Sequence, residues 1–120
     1  MILRTILLIF LIFSGSIATA SNRYIFVSFS MSDEALKAYY KEAEELHATL
    51  VIRGLVNNNF LDTRQKALEL SINFNIDPEL FENYNVTSVP VIIEDDELTV
   101  IKKVSGHIPL TEALELFKRG

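Results

Sequence analysis

The chain has 120 residues, 49% of them apolar and 22% charged, with a formal net charge of −5 and no cysteine. That length holds one domain, and the missing thiols remove disulfide frameworks, Cys-ligated zinc, iron–sulfur clusters and thiol nucleophiles. The acidic balance argues against a general nucleic-acid binder, because phosphate contact needs clustered Lys and Arg.

Apolar residues are concentrated at the start. Arg4 gives a positive n-region, Ile6–Phe13 is an unbroken apolar run, and Ala18-Thr19-Ala20 reads as a small-x-small cleavage site. This is the pattern of a secretory signal peptide over residues 1–20, cleaved after Ala20. The run is short for a membrane span, which takes roughly 20 apolar residues. The alternative is an uncleaved N-terminal anchor. Residues 21–120 form one domain of ordinary globular composition, more acidic than the whole chain because Arg4 leaves with the leader. Having no Cys, this domain is held by packing alone.

Tyr24–Phe29 is almost entirely apolar, aromatic or β-branched, which predicts a strand buried on both faces. Ser32 is a good N-cap, with Asp33 and Glu34 in the first turn, where the helix dipole favours carboxylates. Leu36, Tyr39, Tyr40, Ala43 and Leu46 then form one apolar stripe of a helix ending near His47. Thr49–Arg53 predicts a second strand, stopped at Gly54, and Asn57-Asn58-Asn59 a polar loop. A second helix is expected over residues 60–73, with Leu61, Leu68 and Ile72 on its buried side.

Asp77-Pro78-Glu79 opens a short third helix carrying Leu80, Phe81 and Tyr84, with Asn83 and Asn85 suited to its end. Val91-Ile92-Ile93 predicts a third strand. Glu94-Asp95-Asp96-Glu97 predicts a turn, and residues 98–104 a fourth strand returning as a hairpin. Pro109 opens a last helix with Leu110, Ala113, Leu114 and Phe117 on one face and Lys118 and Arg119 at its dipole-favoured end. The order β-α-β-α-(short helix)-β-β-α is α/β. It predicts a right-handed βαβ unit followed by a hairpin and helix, packed as a mixed four-stranded sheet with flanking helices.

That order, with Val89-Pro90 at the start of the third strand, resembles the thioredoxin fold. By pattern alone the proline is either cis in a bend or trans on an edge strand. The resemblance implies cis.

Four segments carry a closer resemblance. They are Phe26-Val27-Ser28-Phe29-Ser30-Met31, Val51-Ile52-Arg53-Gly54-Leu55-Val56, Ile76-Asp77-Pro78-Glu79-Leu80-Phe81 and Val86-Thr87-Ser88-Val89-Pro90. In this order and spacing, from about Tyr24 to Ile93, the chain resembles the TrbC family of F-type conjugative pilus assembly proteins of Gram-negative conjugation systems. Ser32 stands where members often carry Pro, and both start a helix well. Many members also have further sequence after the domain, and some are fused to a second transfer protein. The resemblance implies a periplasmic protein that assists pilus assembly within a type IV secretion machine, with other transfer and secretion proteins as partners. It implies no defined reaction.

In thioredoxins a CxxC motif lies where the first strand meets its helix; here that junction is Ser30-Met31-Ser32-Asp33-Glu34. Thiol–disulfide exchange requires a thiolate, so this chain has no redox centre of its own. What the junction offers is binding, since ligand sites gather outside the carboxyl ends of parallel strands. Phe29, Ser30 and Met31 end the first strand and Arg53 and Gly54 the second, and the fold resemblance brings Val89 and Pro90 alongside. Met31 is an adaptable apolar contact and Arg53 a cationic fork for a carboxylate, so these seven residues are the expected partner-docking edge. The competing reading makes Phe29 and Met31 core and pairs Arg53 with a local acid.

His47 and His107 are too few and too far apart in sequence for a zinc site, and the Glu94–Glu97 run lacks the spacing of a calcium loop. No phosphate loop or nucleophile elbow is present. No metal, cofactor, nucleic acid or small-molecule substrate is expected. The leading expectation is a non-catalytic periplasmic assembly factor. The alternatives are a Cys-free enzyme acting on substrate thiols, as glutathione-using relatives of the fold do, and a membrane-tethered scaffold.

Overall fold

A computed structural model describes residues 21–98 and 100–119. The leader expected over residues 1–20 lies outside the described residues. The elements are β1 (Asn22–Phe26), α1 (Asp33–Leu46), β2 (Thr49–Ile52), α2 (Phe60–Leu70), β3 (Asn75–Ile76), α3 (Pro78–Asn83), β4 (Val91–Asp95), β5 (Ile101–Ser105) and α4 (Leu110–Arg119).

The sheet has five strands in the order β3-β2-β1-β4-β5, not the four expected. β2 runs parallel to both β1 and β3, whereas β4 is antiparallel to β1 and β5. The additional strand is two residues long, Asn75 beside Val51 and Ile76 beside Ile52. So short an edge strand has no alternation to read, which is why the sequence pattern passes over it.

The alternation of side chains divides the core into two layers. Ile25, Val27, Leu50, Ile52 and Ile92 pack with Leu36, Tyr39 and Ala43 of α1, Leu70 of α2, and Leu110, Ala113 and Phe117 of α4. Phe26, Val51, Val91 and Ile93 point the other way, against Phe81 of α3 and Val86. The second layer has one short helix for cover and fills the remaining space with rings. Phe26 meets Phe81 edge-on at 4.9 Å, and Tyr84 stacks near Tyr24 at 5.8 Å.

α1 starts and stops as its residues require. The Ser32 hydroxyl accepts the Ala35 N–H at 3.1 Å, and His47 closes the helix at φ 55°. α2 departs from expectation. Leu61 and Leu68 are 69% and 65% exposed, while Thr63 and Leu70 are 3% and 5%. The helix stops at Leu70, where Ser71 turns left-handed at φ 55°, and Ile72 is buried beyond it. Thr63 takes the inner position because its hydroxyl is satisfied twice. It donates to the Asn59 carbonyl and accepts the Val56 N–H, both at 2.8 Å. A buried hydroxyl with both partners loses nothing to desolvation, and hydropathy cannot anticipate that.

α4 is held to α1 by polar contacts as well as packing. The Glu42 carboxylate accepts the N–H groups of Leu110 and Thr111 at 3.1 and 3.3 Å, capping α4 from a neighbouring helix. The Tyr39 hydroxyl donates to the Ile108 carbonyl at 2.7 Å.

Candidate functional site

β1 and β2 both end at the same edge of the sheet, and the chain leaves each by a loop that rises around a groove of about 460 Å³. The floor is Val27–Ser30, at the end of β1. One wall is Arg53–Asn57, leaving β2, and the other is Thr87–Val89, approaching β4. Phe81 and Val86 close the space beneath.

The floor is a tight turn. The Met31 N–H donates to the Ser28 carbonyl at 3.0 Å, and the Ser30 N–H to the Ser28 hydroxyl oxygen at 3.2 Å. The two serine hydroxyls are 2.9 Å apart. The first wall bends where Asn57 and Asn58 adopt φ 52° and 54°, a left-handed conformation asparagine tolerates. Gly54 is not required by its backbone. A Cβ there would meet nothing within 4 Å.

The second wall hangs from α3. The Asp77 carboxylate accepts the Leu80 N–H at 3.1 Å, with Pro78 at the first helical position. The Asp77 N–H donates to the Ile52 carbonyl at 2.9 Å, tying α3 to the end of β2. At its other end the Lys103 ammonium of β5 donates to the carbonyls of Tyr84 and Asn85, at 3.0 and 2.9 Å. The Val89–Pro90 peptide bond is cis.

Five of the seven expected site residues line the groove: Phe29, Ser30, Arg53, Gly54 and Val89. Met31 and Pro90 border those residues without lining it. Met31 is half-buried against the layer under α1, and Phe29 rests edge-on against Phe74 at 5.3 Å. Sequence reading missed Val27, Ser28 and Ile52, within or just past the strands, and beyond them Leu55, Val56, Asn57, Phe81, Val86, Thr87 and Ser88. Of these last, Leu55, Val56 and Asn57 directly follow Arg53 and Gly54, so the rule that selected those two extends to them. Phe81 carried no local signal.

Among the described residues, Arg53 is the only ionisable side chain on the groove. It is exposed, makes no ion pair among the described residues, and holds its guanidinium 6.0 Å above the Phe81 ring. The local acid that the competing reading would pair with it is not there. Phenol groups elsewhere are shifted. Burial, then the Asp95 carboxylate that accepts its hydrogen bond at 2.6 Å, pushes the Tyr84 hydroxyl far above its usual range. Tyr24 is raised by burial and then by Asp95, and Tyr39 by burial and then by Glu42. None of these three lines the groove.

The remaining polar clusters serve the fold. His47 supplies a left-handed helix end, and the His107 ring packs on Tyr39 at 5.6 Å. In the hairpin, Asp95 and Asp96 accept the N–H groups of Glu97 and Leu98 at 2.7 and 3.0 Å. Among the described residues, no group of three or more His, Cys, Asp and Glu could hold a metal ion.

The fold has solved counterparts. DsbF from MTB, in mixed oxidized and reduced forms, superposes with a TM-score of 0.53 at 17% identity, covering 82% of this chain and 77% of that one. The thioredoxin domain of a Bacteroides vulgatus thiol-disulfide oxidoreductase superposes at 0.51 and 13% identity, with the same coverage. At such identity they establish a thioredoxin-like fold and nothing about chemistry. In sequence, Periplasmic protein TrbC of Escherichia coli (strain K12) is 34% identical over 73 residues, which are 57% of this chain. This chain spans about a third of that relative's length, 34%. Residues 25–117 match the family described as type-F conjugative transfer system pilin assembly proteins. With that match running through both core layers and both walls of the groove, the chain belongs to the F-type TrbC family.

Proposed function

We propose that this chain assists pilin assembly in an F-type conjugative transfer system as a periplasmic, non-catalytic module that docks a segment of another transfer protein in the groove. The observation that carries this reading is the groove's composition. Where thioredoxins carry CxxC this chain has Ser30-Met31-Ser32-Asp33-Glu34, beside a groove floor that includes Ser28, Phe29 and Ser30, and the sequence has no cysteine. With no thiolate and one permanently charged arginine, the groove has nothing to exchange electrons or shuttle protons.

The second wall supports docking. Thr87, Ser88 and Val89 make no main-chain hydrogen bond among the described residues, so their amides and carbonyls are available to an extended segment. A periplasmic location is supported by the leader pattern of residues 1–20 and by the name of the Escherichia coli relative. No helix among the described residues is long and apolar enough to cross a membrane.

The test is complementation. In a host carrying the transfer system but lacking this gene, Gly54→Trp fills the groove from a position where a side chain has room. Expected is normal accumulation of folded protein with pilus number and mating frequency near those of the deletion. Wild-type piliation by a folded Gly54→Trp protein would overturn the reading. Turnover of a substrate thiol by the purified protein would overturn its non-catalytic part.

A further inference from the structure

Resting on that docking reading, the geometry points to what the groove selects: we infer that it takes an extended peptide segment with a carboxylate side chain next to an aliphatic one. Arg53 is the specificity-determining residue.

The argument begins with charge. The protein is acidic overall, at −5, yet among the described residues this groove has one ionisable group and that group is a cation. Arg23 pairs with Glu94 at 2.8 Å, Lys66 with Asp33 at 3.1 Å and Lys118 with Glu115 at 3.4 Å. Arg53 has no such partner among the described residues. Its guanidinium lies by the Phe81 face, a placement that limits its rotamers and leaves its fork of N–H donors free. A carboxylate received in that fork gains two parallel charge-assisted bonds.

The rest of the lining fixes the neighbouring residue. The half-buried Phe29, Leu55, Val56 and Val89 give the groove an apolar base that an aliphatic side chain would cover. Successive side chains of an extended segment point in opposite directions. A strand bonded to the Thr87–Val89 wall can therefore turn one residue to the apolar base and the next to Arg53. A polyanion such as DNA fits poorly, because one arginine in an acidic surface gives no run of phosphate contacts.

The inference is tested by selecting a random heptapeptide library on the immobilised protein, on Arg53→Gln, on Arg53→Glu and on Gly54→Trp. Wild type is expected to enrich peptides with Asp or Glu beside Leu, Ile or Val, and Arg53→Glu to replace the acidic preference by Lys or Arg. A selected acidic peptide is expected to bind Arg53→Gln about tenfold more weakly, while its Gln-for-Glu twin binds both proteins alike. Groove-dependent binders without acid enrichment, or with the same enrichment on Arg53→Glu, would overturn the inference and leave the docking reading standing. A library yielding no binder sensitive to Gly54→Trp would overturn both. Displacement of selected peptides by a single-stranded oligonucleotide would assign the groove to nucleic acid instead.

Discussion

The two faces of the sheet are built to different specifications. One is roofed by α1 and α4 with the end of α2, and its layer is mostly aliphatic. The other has only the six residues of α3, and relies on Phe26, Phe81, Tyr84 and Tyr24 to make up the cover. Rings bury much area per residue, so a small helix can seal a sheet with few of them. The thick face gives the domain a base, and the thin face leaves its loops clear to form a groove.

The comparison breaks if the thin face is merely decoration. Phe81→Ala should cost about 3–4 kcal/mol, as much as a deletion in the thick layer such as Leu36→Ala, because Phe81 is 4% exposed and supports Phe26. Urea unfolding of the two variants measures this. A loss below about 1 kcal/mol for Phe81→Ala would mean that α3 lies outside the cooperative unit.

Caps sharpen the contrast at a smaller scale. Glu42→Ala removes two acceptors from the start of α4 and should cost about 1–2 kcal/mol on the thick face. Asp77→Ala removes one acceptor from α3 and should cost about 1 kcal/mol. The two midpoints in urea give the order directly. A reversed order would show that α3 depends on its cap more than its single contact implies.

The smallest effect is confined to alkaline pH. Burial holds the Tyr84 and Tyr24 hydroxyls above their ordinary value, with Asp95 adding to it, and burial does the same for Tyr39 on the other face. In the unfolded chain these phenols ionise near pH 10, before they do in the folded protein, so the unfolded state binds fewer protons there. Stability is therefore full below about pH 10 and falls as pH rises through it. Tyr84→Phe should flatten that fall more than Tyr39→Phe, since Tyr84 also donates to a carboxylate. Thermal unfolding at pH 8 and 10.5 distinguishes them, and an equal slope for both variants would remove the asymmetry.

How much of this was legible in the sequence depended on whether a signal was local. Ser32, Asp77 and Pro78 marked helix starts correctly, because caps act within one turn. Arg53 and Gly54 were found by a rule about strand ends, which needs only the strand. The α2 face was misjudged because burial is decided by what lies opposite. Among the described residues Leu61 and Leu68 are left exposed, while Thr63 has Asn59 and Val56 to satisfy it. The strand count failed for the same reason, since Asn75 and Ile76 become a strand only by lying beside β2. Phe81 reached the groove by folding under it, which no neighbour in the chain announces.

Lys103 gives the groove a property in time rather than in energy. Its ammonium holds the Tyr84 and Asn85 carbonyls, just past α3, from the outermost strand, and the second wall begins shortly after them. Swinging that wall outward requires β5 to release its base, so the motion of the wall is coupled to the strand. The opposite wall is tied instead to α2, through the Val56 N–H on the Thr63 hydroxyl. An incoming segment thus meets two walls anchored to different elements, one to an edge strand and one to a helix.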